Sequence, residues 1–161
     1  MNCYLQCSIL LTAVLIGAAK ADEPVTAANV LSATPARKLL IKPGTTAELP
    51  LAVKLVPNYH VNSNAPSNPY LIGLKLTWST NVADTAEVSY PKPELAKLAF
   101  SDTPVSVFSG EFDVVTKFHL PANTPPGPAA VSGKLRYQAC NDRLCLPPKT
   151  IDITLPVEVT K

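Results

Sequence analysis

Hydrophobic side chains recur at every second position from RKLLI onward, the spacing of strands with one buried and one solvated face. In AELPLAVKLV, Leu49, Leu51, Val53 and Leu55 share a face. In LIGLKLTW, Ile72, Leu74, Leu76 and Trp78 do the same, with Gly73, Lys75 and Thr77 opposite. EFDVVTKFHL aligns Phe112, Val114, Phe118 and Leu120, and AVSGKLRYQAC aligns Val131, Leu135 and Tyr137. TIDITLPVEV aligns Ile151, Ile153, Leu155 and Val157. The clusters KPGT, SNAPSNP and ANTPPGP punctuate these runs as turns. PELAKLAF is the one stretch compatible with a turn or two of helix. Strands of this kind stack as two antiparallel layers. The expected fold is all-β, an immunoglobulin-like antiparallel β-sandwich over residues 36–161, with Trp78 in the core between the sheets.

Ahead of that pattern the chain reads differently. SILLTAVLIGAA is a short apolar run followed by the small-x-small site AKA, which predicts a signal peptide over residues 1–21, cleaved after Ala21. Residues 22–35 are rich in Ala and Thr without periodicity and predict a flexible amino-terminal arm. The expected mature chain is exported, soluble and not inserted in a membrane. All 17 prolines fall within it, too many for a helical bundle.

Charge removes some function classes. With 14 Lys plus Arg against 12 Asp plus Glu and no basic stripe, nucleic acid is not an expected partner. No G-x-S-x-G turn is present to support a serine hydrolase.

Loss of the leader removes Cys3 and Cys7 and leaves Cys140 and Cys145, with four residues between them in YQACNDRLCLPPKT. In an exported protein such a pair can be a structural clip. A loop this small, however, stabilises a fold by only about 2 kcal/mol on chain-entropy grounds. The pair also falls where one strand ends and the next begins. By alternation Cys140 shares the face of Lys134, Arg136 and Gln138, away from the apolar side. A short disulfide at a rim is of the accessible, reducible kind. Arg143 and Lys149 favour a thiolate nearby, Asp142 opposes it, and Pro147 and Pro148 stiffen the following segment. The only histidines, His60 and His119, would complete a Cys2His2 zinc set, though in no common finger spacing. Structural, redox and metal roles all remain open on spacing alone.

The same run resembles the active-site segment of the amino-terminal domain family of the thiol:disulfide interchange protein DsbD. That family carries Tyr-Gln-x-Cys, a short polar insert, Cys-x-Pro-Pro and a last strand; here these are Tyr137, Gln138, Cys140, Cys145, Pro147 and Pro148. VPNYHVNSNAPSNPYLIGLKLTW is similar to the family's upstream strand, and the likeness runs from about Leu49 to Val157. It implies a periplasmic protein-disulfide reductase component without cofactor or metal. Such a domain relays reducing equivalents from a membrane-embedded electron donor to thioredoxin-like proteins. Cys145 is then the nucleophile and Cys140 the resolving thiol. The family's cap loop matches LAFSDTPVSVFSGEF, making Phe108 or Phe100 the cap residue, and Tyr59 and His60 fall where the family sets aromatic side chains beside the sulfurs. Two departures accompany the likeness. The best-known members place five residues between the cysteines, and they continue into membrane and thioredoxin-like domains, so a free-standing version needs its donor in trans. The competing expectation is a non-catalytic β-sandwich binding module with a structural disulfide.

Overall fold

The computed structural model describes residues 24–66, 68–99 and 101–161; the expected signal peptide lies outside them. Twelve strands follow one another along the chain, with no helix among the described residues. In order they are β1 (Leu31–Pro35), β2 (Leu39–Ile41), β3 (Thr46–Leu55), β4 (His60–Asn62), β5 (Lys75–Ser79) and β6 (Thr85–Ser89). There follow β7 (Glu94–Ala96), β8 (Val105–Ser109), β9 (Glu111–His119), β10 (Gly127–Tyr137), β11 (Ala139–Cys140) and β12 (Lys149–Val159).

They form two main sheets, β1-β3-β9-β6 and β2-β12-β10-β5, and a third, β11-β4-β8-β7. This is the immunoglobulin-like sandwich that the alternation predicts. The rows Leu49, Leu51, Val53, Leu55 and Val131, Leu135, Tyr137 are buried, as are Ile153, Leu155 and Val157. Leu51, Val53 and Val114 of the first sheet pack against Leu76, Leu135 and Ile153 of the second. Removing each such side chain from water stabilises the fold by about 1.5–3 kcal/mol before entropy is counted. Thr116 interrupts the apolar row of β9, and its hydroxyl accepts the indole N–H of Trp78 at 2.9 Å. Trp78 meets Phe118 edge-on at 5.3 Å. Gly133, paired with Trp78 across β5 and β10, leaves room for this indole, since a Cβ there would sit 2.7 Å from the ring.

Three expectations change. Residues 22–35 are not loose throughout, because Leu31–Pro35 pairs antiparallel with β3 and Val30 and Leu31 are buried. The strand lies at the sheet edge, where Pro35 removes no needed donor. The described part of PELAKLAF, residues 93–99, is not helical, because Glu94–Ala96 is strand and pairs with β8. Its helix-favouring Glu, Leu, Ala and Lys are overridden by tertiary pairing. One pairing, β2 with β12, is parallel within the otherwise antiparallel architecture.

The third sheet is made largely from continuations of the first two. The pair β3/β9 bends into β4/β8 through two kinks that face each other, since Leu55 N–H donates to Gly110 C=O at 2.9 Å. Asn58 (φ 68°) and Gly110 (φ 65°) supply the left-handed backbone that these bends require, and asparagine and glycine tolerate it best. From the other main sheet, β10 crosses at Gln138 into β11, which pairs with β4. Strands of both layers therefore meet at one end of the sandwich.

Candidate functional site

The junction is the pairing of Cys140 with His60 and of Ala139 with Val61. Beyond it the chain turns back through residues 141–144, and Cys140 and Cys145 face each other as an antiparallel bridge. Asn141 N–H donates to Leu144 C=O at 2.9 Å, and Leu146 N–H to Ala139 C=O at 2.8 Å. These bonds flank the cysteines and leave them as a non-hydrogen-bonded pair, the narrow position of a ladder. Their Cα atoms are 3.9 Å apart and the sulfurs are bonded. The turn is held by Asn141, whose Oδ1 accepts from the backbone N–H of Arg143 at 2.9 Å and of Leu144 at 3.0 Å.

The two sulfur-bearing residues are not equivalent. Cys140 is 0 % exposed, whereas Cys145 is exposed on the turn beside the exposed Leu144. The buried position of Cys140 corrects the expectation that it shares the polar face of Lys134 and Arg136. Gln138 breaks the strand, and the chain changes sheets there, so alternation counted along β10 does not carry into β11, where both residues are buried. Gln138 also clasps the far side of the hairpin, its Nε2 donating to Leu146 C=O at 3.2 Å. Tyr137 is buried, and its hydroxyl donates to Ala27 C=O at 2.9 Å, tying the amino-terminal segment beneath the site. Pro147 is exposed just after Cys145.

His60 is 7 % exposed, and its Nε2 is enclosed without a hydrogen-bond partner. Burial pushes its imidazole below the usual histidine value of 6.5, against an opposing pull from the Asp142 carboxylate. The folded protein therefore resists a proton that the unfolded chain accepts freely. Stability from this residue is complete above about pH 6.5 and falls as pH drops below it. His60→Gln should reduce the stability loss between pH 7 and pH 5, as checked by urea unfolding at each pH.

Tyr59 is half-buried at the end of the turn before β4, its N–H donating to Val56 C=O at 3.2 Å. With His60, Lys97, Leu98 and Asp142 it lines an open cleft of about 660 Å³ beside the cysteine hairpin. Phe108 does not belong to a covering loop. It is 3 % exposed within β8, set between Tyr90 and Phe112 at centroid distances of 6.4 and 5.0 Å. Phe100 lies outside the described residues.

The four candidate zinc ligands do not converge. His119 is held by Asp84 at 2.8 Å, which keeps that carboxyl below its ordinary range. It ends β9 at the edge away from Gly110, and a nine-residue strand spans roughly 26 Å. Among the described residues no three His, Cys, Asp or Glu side chains cluster as a metal site. Asn141 is the site residue that the sequence reading passed over, although Asn opening a turn is a recognisable signal.

A sandwich with an accessible cysteine hairpin at the meeting point of its sheets has the arrangement that thiol–disulfide exchange requires. The family model described as "Thiol:disulfide interchange protein DsbD, N-terminal" matches residues 27–156, and the chain belongs to that family. Among solved structures it is similar to the N-terminal periplasmic domain of ScsB from Proteus mirabilis. That match has 15% identity and a TM-score of 0.53, covering 80% of this chain and 45% of that one. A family 123 glycoside hydrolase from Clostridium perfringens matches with 14% identity and a TM-score of 0.39, covering 81% of this chain and 28% of that one. The ASH/PapD-like domain of human CEP192 matches with 12% identity and a TM-score of 0.39, covering 93% and 99%. The comparison with curated proteins finds no match. No helix among the described residues is long and apolar enough to cross a membrane.

Proposed function

We propose that this protein is an exported, periplasmic thiol–disulfide exchange protein that relays reducing equivalents through Cys140 and Cys145. A membrane-embedded donor reduces the pair, and the pair reduces thioredoxin-like proteins. The observation that carries this reading is the unequal exposure of the two bonded cysteines. Exchange proceeds by attack of one sulfur on another through a mixed disulfide, and access decides which sulfur is attacked. Cys145 meets the partner; Cys140, shielded, leaves when the donor attacks and returns to resolve when the acceptor is bound. Leu144 beside Cys145 offers an apolar contact to the docked partner. Membership in the family supports the same chemistry.

The test is a trap. Cys140→Ser, incubated with an oxidised thioredoxin-like protein, should accumulate a covalent complex through Cys145, seen by non-reducing electrophoresis and mass spectrometry. If only free thiol is recovered, the pair is a clip and the domain a binding module.

A further inference from the structure

His60 is unused by the exchange scheme just given, yet it is the residue directly opposite Cys140 in the β4–β11 register. Directly opposed residues of antiparallel strands project from the same face, with Cβ atoms about 4.5–5.5 Å apart. Its Nε2 lies enclosed with no hydrogen-bond partner, an arrangement that costs stability and so calls for a reason. Cys140, the residue across from it in the register, is held in the disulfide, and only a reduced Cys140 carries a proton to give.

We infer that His60 is the base that takes the proton of Cys140 in the resolving step, its Nε2 receiving the S–H proton as the sulfur attacks. The inference rests on the exchange reading above and assigns a role within it. After Cys145 has joined a partner sulfur, Cys140 Sγ attacks Cys145 Sγ and its proton moves to His60. The Cys145–partner bond breaks, and its electron pair leaves with the partner's thiolate. The imidazolium then returns the proton to that thiolate or to water. Two electrons pass from the dithiol to the partner. In the reverse direction the imidazolium protonates Cys140 as it departs.

The surroundings suit a base that stays neutral. Burial holds the imidazole uncharged near neutral pH, while Asp142 on the hairpin stabilises the transient imidazolium. The other charged or titratable groups lining the same cleft are Lys54, Tyr59, Glu94, Lys97 and Glu111. Of these, Lys54 is paired with Glu111, and Glu94 accepts a hydrogen bond from the Ser109 hydroxyl.

The experiment follows the reduced protein with one equivalent of dithiodipyridine, whose thiopyridone leaving group is coloured. The first release reports Cys145 and the second the attack of Cys140. With a base at hand, the second rate should be flat from about pH 7 to 9. In His60→Gln, Cys140 must rely on its own ionisation. Even a freely exposed thiol, with its ordinary value of about 8.5, is only about 3% thiolate at pH 7, so the second release should slow about 30-fold or more there and recover as pH rises. The first release should remain in place. A uniform slowing at every pH, or an unchanged profile, would overturn the role of His60. Should His60→Gln not fold, Asp142→Asn should move the acid edge of the plateau to lower pH, and an unmoved edge would equally refute it. Absence of any second release from the unsubstituted protein would defeat the exchange reading itself, and the inference with it.

Discussion

With Cys145 replaced by serine, the reduced protein is expected to fall to background reactivity toward disulfides even though Cys140 still carries a thiol. A hydroxyl does not exchange with disulfides, and the remaining sulfur is enclosed beneath the hairpin. For Cys140 to react, the end sheet must open locally. An opening of about 3 kcal/mol slows a reaction on the order of 100-fold. Cys140→Ser, by contrast, keeps the exposed thiol and should react at nearly the rate of the reduced pair in its first step. The two variants, compared by alkylation and by reaction with a small disulfide, should therefore differ by about two orders of magnitude or more. Equal rates would mean that the cysteines are equally reachable and that the assignment of roles is unsupported. Both variants should stay folded, because a loop of this length contributes only about 2 kcal/mol through its bond.

Phe118→Ala should have the largest effect on stability. Phe118 is 0 % exposed and packs among Leu49, Leu120, Val131 and Leu155, with Trp78 against its ring. Emptying such a site costs about 3–5 kcal/mol, a large share of the 5–15 kcal/mol that holds a typical domain together. Trp78 is the only tryptophan in the chain, so urea unfolding followed by its fluorescence reads the loss directly. The native emission should also shift as the indole loses its edge contact. Phe118 lies on β9 towards His119, away from the kink that leads to the cysteines. The variant should therefore keep its exchange rate at temperatures where it remains folded, which separates the scaffold from the chemistry.

The long strands were legible because alternation is local: Leu49 to Leu55 and Ile151 to Val157 announce their buried face without reference to any neighbour. Leu31–Pro35 was hidden because Ser, Ala and Thr carry little apolar signal, and only pairing with β3 makes it a strand. Glu94–Ala96 was misread for the converse reason, since its residues favour helix locally and the partner β8 decides otherwise. The cysteine pair and its flanking Tyr137, Gln138 and Pro147 could be found in one short run. What could not be read was the face of Cys140, because a change of sheet at Gln138 leaves no mark in the hydrophobic pattern. The pairing of Cys140 with His60 was equally hidden, because cross-strand register between distant segments is not written in either one alone. Phe108 was equally unreadable as a strand residue, since only its pairing with Val61 sets it in β8 with its ring buried.

The ladder between β10 and β12 closes at Tyr137 opposite Lys149, and everything between those two residues is an excursion from a finished frame. Lengthening or shortening that excursion leaves all eleven rungs behind it in register, so no strand is forced to turn its apolar side outward. Sulfur spacing is consequently a free dial on this architecture. Four intervening residues are one setting of it, and a fifth would be accommodated without rebuilding the sandwich.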